Sequence, residues 1–215
     1  MRPSRAFTRR TCVPILLAEI EQNVARSRAG ARHLMSHPAV QRIAHDQRLL
    51  KLARATLGPG AVPYRATLFE KSGRSNWLVV WHQDTALPLA SRLTSPDWGP
   101  WSEKAGVLYA HAPTWALQQV LALRLHLDDS TADNGPLRVI PGSHEHGVLP
   151  DERVFEIAHQ QPHAECLATR GSVLAMRPLL IHSSQKARSP EPRRVLHLEY
   201  AAALDLGNGA RLAVA

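Results

Sequence analysis

The chain has 215 residues, 44% hydrophobic and 20% charged, the profile of one globular domain long enough to bury a proper core. No apolar run approaches the ~18 residues of a membrane span, and Ile15-Leu16-Leu17 is too short for a secretory core of ~7–15 apolar residues, so a cytoplasmic protein is expected. The formal charge of +8 resides wholly in residues 1–54, which hold eleven Lys/Arg against three acids (Glu19, Glu21, Asp46) and lack the aromatic interleaving of nucleic-acid grooves. This charge reads as a solvated helix face. Cys12 and Cys166 lie far apart without CxxC spacing, so no disulfide is expected.

In chain order, residues 1–13 form a basic extension expected to be flexible, ahead of one domain over 14–215. Residues 14–35 carry Leu17, Ile20, Val24, Ala31 and Leu34 at helical spacing, and residues 38–57 repeat the pattern with Val40, Ile43, Leu50, Ala53 and Leu57. Pro38 suits a first helical turn, and Gly58-Pro59-Gly60 ends the helical part. From Val62 short strands take over, expected at 63–69, 77–82, 120–127, 137–140, 172–176 and 194–200. Val120–Leu127 is mostly apolar on both faces, as befits a strand in the middle of a sandwich. Helices first and strands after predict an α+β or mainly-β sandwich, with its core over 60–202. Residues 86–119 show no strand pattern and follow directly on the candidate ligands below, which suits a lid loop. Their aromatics, Trp98, Trp101, Tyr109 and Trp115, fit a substrate wall and a satellite core equally well.

The chemistry concentrates at Trp81-His82-Gln83-Asp84. A His and an Asp one residue apart point the same way from a strand end, so both reach one cation. His182 closes a second apolar run, Leu179-Leu180-Ile181, and Arg193 follows eleven residues later. Two imidazoles and a carboxylate with open positions are the ligand set of non-haem Fe(II) oxygenases, and an Arg suits a dicarboxylate co-substrate. His144-Glu145-His146 is a rival His-x-His pair. His126 and His197 sit within strand patterns as core or pocket-lining residues, whereas His33, His37, His45, His159 and His163 read as surface.

Several runs resemble the phytanoyl-CoA dioxygenase family in order along the chain. They are Asn76-Trp77 leading into Trp81–Asp84, Leu125-His126-Leu127-Asp128-Asp129, and Asp133-Asn134-Gly135-Pro136-Leu137-Arg138-Val139-Ile140-Pro141-Gly142-Ser143-His144. Arg177–Ser184 and Arg193–His197 complete the set, which covers roughly residues 60–202. The resemblance implies a double-stranded β-helix, a jelly roll in the cupin manner, with the N-terminal helices outside its major sheet. It implies Fe(II) held by His82, Asp84 and His182, and 2-oxoglutarate anchored through Arg193, with Arg194 as the adjacent candidate and Ser184 touching the co-substrate. Gln83 and Asn76 would be further pocket residues. The implied reaction uses O2 to hydroxylate an unactivated C–H of a small molecule, releasing succinate and CO2. Halogenating relatives replace the carboxylate ligand with a small residue, so Asp84 argues for hydroxylation. The alternatives are a non-catalytic jelly roll that binds a metal or small ligand, and a 2-oxoglutarate oxygenase acting on nucleic acid. The basic N-terminal charge, lying outside the core, weakens the latter. No membrane partner is expected, and monomer and homo-oligomer stay equally open.

Overall fold

The computed structural model describes residues 12–23, 30–72 and 75–215. Helix α1 spans Cys12–Asn23, and residues 30–35, expected within the same helix, are not helical in that way. Residues 24–29 lie outside the described residues; strand β1 (Gly30–Ala31) and a 3-10 turn (Leu34–Ser36) follow. The reason is local. Gly30 has φ +119°, and a Cβ there would sit 1.9 Å from the Leu68 carbonyl oxygen, so the chain lies against strand β2 (Val62–Lys71). The second expected helix is two, α2 (Pro38–Ala44) and α3 (Gln47–Leu57). Asp46 adopts extended backbone and its carboxylate accepts the Arg48 N–H at 2.9 Å, which caps a new helix instead of extending the old one.

Among the described residues fourteen strands form four sheets. The major sheet runs β1-β2-β12-β7-β10, with β7 at Val120–His126, β10 at Val173–Met176 and β12 at Arg193–Ala201. The minor sheet runs β3-β11-β8-β9, at Val79–His82, His182–Ser184, Leu137–Val139 and Ala164–Cys166. All named pairings are antiparallel, and the two sheets face each other as a double-stranded β-helix, a jelly roll. The central position of β7 accounts for its burial along every residue.

Period-two alternation divides the major sheet sharply. Leu121, Leu123, Leu125, Leu196, Leu198 and Tyr200 point outward and pack with Leu16, Leu17, Val40, Leu49 and Leu50 of the helices. The helices therefore lie outside the major sheet. The register Lys71↔Arg193, Thr67↔His197↔Arg124 and Val195↔His126 sets the opposite face, which lines the interior with cations and imidazoles. Burying such groups costs several kcal/mol each unless they are paired or serve a ligand.

The segment expected as a loop over 86–119 contains strands β4 (Ala86–Leu89), β5 (Trp101–Lys104) and β6 (Val107–His111), then the short helix α4 (Thr114–Leu117). β4-β6-β5 form a separate sheet. Ala105 and Gly106 both have positive φ (51° and 77°), so a two-residue turn joins β5 to β6 without the usual Asn-Gly. Trp98 is buried in a cluster with Leu87, Ala110, Leu117, Leu206 and Leu212, and stands edge-on to Trp115 at 6.0 Å. The tryptophans of this segment build a satellite core, together with the hairpin β13 (Asp205–Gly207) and β14 (Ala210–Arg211). Helix α5 (Asp151–Gln160) covers the minor sheet through Val154 and Ile157, packed with Ile181. Among the described residues no helix is long and apolar enough to cross a membrane.

Candidate metal and co-substrate site

The ends of β3 and β11 are register partners, with His182 directly opposite His82. The chain then turns, and the Asp84 N–H donates to the Pro178 carbonyl at 2.9 Å, which brings its carboxylate between the two rings. His82 Nε2 is 3.7 Å from one Asp84 oxygen and His182 Nε2 is 3.6 Å from the other, with the ring centroids 4.1 Å apart. These three ligand atoms lie within 4.8 Å of one another, and no other such group occurs among the described residues.

Both imidazoles are held in one tautomer by the strand itself. His82 Nδ1 meets the Val80 carbonyl at 2.9 Å and His182 Nδ1 meets the Leu180 carbonyl at 2.8 Å, each two residues back. A carbonyl only accepts, so Nδ1 carries the proton and the Nε2 lone pair points at the carboxylate, the arrangement a metal requires. Burial pushes His182 down to about 4 despite the neighbouring Asp84. Burial also opposes charge on His82, but the hydrogen bond and charge of Asp84 outweigh it and raise that pKa. Burial would raise Asp84, yet His182 and His82 together hold it well below the usual carboxylate range.

A second feature lies further along the same strands. Arg193, 4% exposed, donates from Nε to the Asn134 carbonyl at 3.3 Å and approaches Ser184 Oγ at 3.5 Å. Lys71, its cross-strand partner and 1% exposed, donates to Ser184 Oγ at 2.6 Å and to the Gln185 carbonyl. Neither cation has a carboxylate partner among the described residues. Burial, then repulsion from Arg193 and Arg138, brings Lys71 down to about 7; burial, then Arg124, brings Arg193 to about 9. Two unneutralised cations in a sealed interior call for an anion. Arg194 points to the opposite face, where Asp128 takes its guanidinium at 2.7 and 2.8 Å.

Gly135 builds this corner. Its φ is +69°, a Cβ would lie 2.5 Å from the Gln185 carbonyl oxygen, and its own carbonyl accepts the Ser184 hydroxyl at 2.9 Å.

Other expected site residues do different work. Gln83 turns away from the cluster; its amide donates to the carbonyls of Gly147 and Leu179 and its oxygen accepts from Leu149 N–H. Strand alternation explains this, since Gln83 lies between two residues that face inward. Asn76 is exposed and clamps both backbone groups of Ala187, tethering the loop before β12. His144 and His146 sit in a 3-10 turn (Ser143–His146), apart from the triad. His126 and His197 are buried on the inner face, and neither ring nitrogen of His126 has a partner. His33, read as surface, is half-buried against Tyr109, with Nε2 2.9 Å from the phenol oxygen.

Sequence reasoning missed Lys71 and Arg124. For Lys71 the signal available was alternation, with Arg65, Thr67 and Lys71 on one face and Tyr64, Ala66 and Leu68 on the other.

Comparison with known proteins fits this geometry. A sequence model of the family described as phytanoyl-CoA dioxygenase (PhyH) matches residues 18–195. The chain belongs to the phytanoyl-CoA dioxygenase family. It is 27% identical over 185 residues to the ectoine dioxygenase of Sphingopyxis alaskensis, covering 76% of this chain and 54% of that protein. It is 26% identical over 178 residues to the L-proline trans-4-hydroxylase of Streptomyces griseoviridis, covering 71% and 59%. The chain thus spans between half and three-fifths of the length of these relatives. The crystal structure of EctD from S. alaskensis with 2-oxoglutarate and 5-hydroxyectoine shares the fold, with TM-score 0.66 at 22% identity over 91% of this chain and 69% of that one.

Proposed function

We propose that the chain is an Fe(II)- and 2-oxoglutarate-dependent dioxygenase that hydroxylates an unactivated C–H of a small molecule, with release of succinate and CO2. The observation that carries the reading is the pairing of the triad His82, Asp84 and His182 with a buried, unneutralised Arg193 further along the same interior. The residues present fit both groups. Two Nε2 lone pairs and one carboxylate offer three donors and leave further positions open, the set associated with non-haem iron. When bound, iron with 2-oxoglutarate and O2 supplies an oxidant able to attack an unactivated carbon.

The protein's part is positional and electrostatic. Arg193 and Lys71 would hold the distal carboxylate, with Ser184 as hydroxyl partner. Ser184 is two residues from His182, ~6.6 Å along a strand, which suits a five-carbon dicarboxylate stretched between anchor and metal. The Nδ1–H groups of His82 and His182 donate to backbone carbonyls and keep both rings aimed. The apolar clusters on both sheets exclude water from the interior. Tyr109 and the 86–119 segment border the open side, where a small-molecule substrate enters.

The test is Fe(II)-dependent succinate release from 2-oxoglutarate, measured with metal content, for the wild type and for Asp84→Ala and His182→Ala. Wild-type turnover with loss of at least ~100-fold in both variants is expected; full turnover in both refutes the assignment. The alternative of a non-catalytic metal- or ligand-binding jelly roll predicts metal uptake without succinate.

A further inference from the structure

A cavity of about 380 Å³ opens directly on His82 and Asp84, and apart from Asp84 its charged lining is cationic. Arg32, Arg65 and Lys104 line it with Tyr109 and Phe69, and its sole carboxylate is Asp84, already committed to the triad. Arg65 is neutralised by Glu199 behind the wall. Arg32 and Lys104 have no acidic partner among the described residues. The Lys104 ammonium lies 5.0 Å above the Tyr109 ring and the Arg65 guanidinium 5.7 Å from it, so cations flank the phenol, and His33 stacks on the same ring at 6.0 Å. Lys104 is shifted down by burial and then by Arg32 and Arg65, and His33 by burial and then by Arg65, Arg32 and Lys104. Like charges so close repel, and an anion among them relieves that repulsion.

We propose that this cavity seats the substrate through an anionic group, a carboxylate or a phosphate, held by Arg32 and Lys104, so that the rest of the molecule projects toward Asp84. The inference rests on the reading of the triad as the iron site. The volume is that of a metabolite-sized ligand pocket, ~300–1,000 Å³. Phe69 supplies an apolar surface beside the cations, and the Tyr109 hydroxyl, bonded to His33, is a further polar contact for the bound anion.

The experiment uses the full chain loaded with Ni(II) and 2-oxoglutarate and titrates matched probes by calorimetry: L-proline against L-prolinamide, hexanoate against hexanamide, and phenyl phosphate against phenol. The expected result is that an anionic member binds at least tenfold more tightly than its neutral partner, and that Arg32→Gln and Lys104→Gln each weaken it about tenfold while Ni(II) and 2-oxoglutarate bind as before. Preference for proline and hexanoate assigns a carboxylate; preference for phenyl phosphate assigns a phosphate. Equal binding of neutral partners, no binding of any anionic probe, or loss of 2-oxoglutarate affinity in the two variants overturns the proposal. The underlying iron reading is checked separately, before any probe is added, by whether the wild type takes up Ni(II) and 2-oxoglutarate.

Discussion

Replacing Arg193 with Met is expected to move stability and co-substrate affinity in opposite directions. The guanidinium is almost wholly buried, and its pKa falls well below that of a free guanidinium, to about 9, through burial and then Arg124. At 1.36 kcal/mol per pH unit, keeping it charged in the empty interior costs on the order of 5 kcal/mol. Met fills a similar volume without charge. The variant loses a hydrogen bond to Asn134 and a long contact to Ser184, each worth about 1 kcal/mol, and also relieves the repulsion with Lys71. A net gain of roughly 2–3 kcal/mol raises Tm of the ligand-free protein by about 4–12 °C. With 2-oxoglutarate the sign reverses. Truncating one member of a buried ion pair costs ~2–5 kcal/mol, and with Lys71 still in place the lower end applies, roughly a 30-fold weaker Kd. The assay is thermal unfolding of the Ni(II)-loaded protein across a 2-oxoglutarate titration. At 100 times Kd the ligand adds about 2.7 kcal/mol to the wild type, and the variant needs about thirtyfold more ligand for the same shift. Arg194→Gln is the control: its side chain sits on Asp128 across the sheet, so 2-oxoglutarate affinity stays within about twofold. Wild-type affinity in Arg193→Met, or loss of affinity in Arg194→Gln in its place, refutes the reasoning.

Acid sensitivity follows from His126, which burial and then Arg124 and Arg193 hold down to about 3 against 6.5 for the free group. Between those values the unfolded chain binds a proton that the folded one refuses, so stability falls as pH drops through this window; from pH 7 to pH 4 the loss is on the order of 3 kcal/mol. Denaturant melts of His126→Gln are expected to lack that part of the pH slope, and an unchanged slope contradicts the argument. In Gly135→Ala the new Cβ meets the Gln185 carbonyl oxygen at a positive φ, so stability drops by about 1–3 kcal/mol and the KM for 2-oxoglutarate rises as Ser184 shifts; a silent substitution counts against this account of the corner. Gln83→Ala severs three hydrogen bonds to backbone and leaves buried groups unpaired, an expected loss of about 2–4 kcal/mol in chemical denaturation. A change in 2-oxoglutarate affinity without loss of stability returns Gln83 to the site.

How far the sequence foretold this site depends on what holds each residue. His82, Asp84 and His182 were legible because each terminates an apolar run, and a strand end fixes the direction of a side chain within the chain itself. Periodicity alone leaves open which of Arg193 and Arg194 faces the interior; the face that the helices cover, carried by Leu196, Leu198 and Tyr200, puts Arg193 inside. Gln83 and Asn76 went the other way. Their amides bond to backbone up to 111 residues distant, and nothing near them in the sequence announces those partners. The β4-β6-β5 sheet was hidden by its own chemistry: four- and five-residue strands, Pro88 inside one of them, and an Ala-Gly turn where Asn-Gly is the usual marker.

Lys71 was hidden differently. A lone Lys at a strand end reads as solvent-facing, and only its register opposite Arg193 makes the two a buried pair of like charge. A fold optimised for stability alone would not retain that pair. Pointing both cations at one hydroxyl, Ser184, with no carboxylate partner among the described residues, makes sense when the missing charge is supplied by a ligand. The same logic applies in the cavity beside the triad, where Arg32 and Lys104 have no ion-pair partner among the described residues. The interior thus presents cations at two places, around Ser184 and beside the candidate metal ligands. Such an arrangement accommodates two anionic molecules meeting at one centre, and it ties the charge of the substrate to the same physical cause as the charge of the co-substrate.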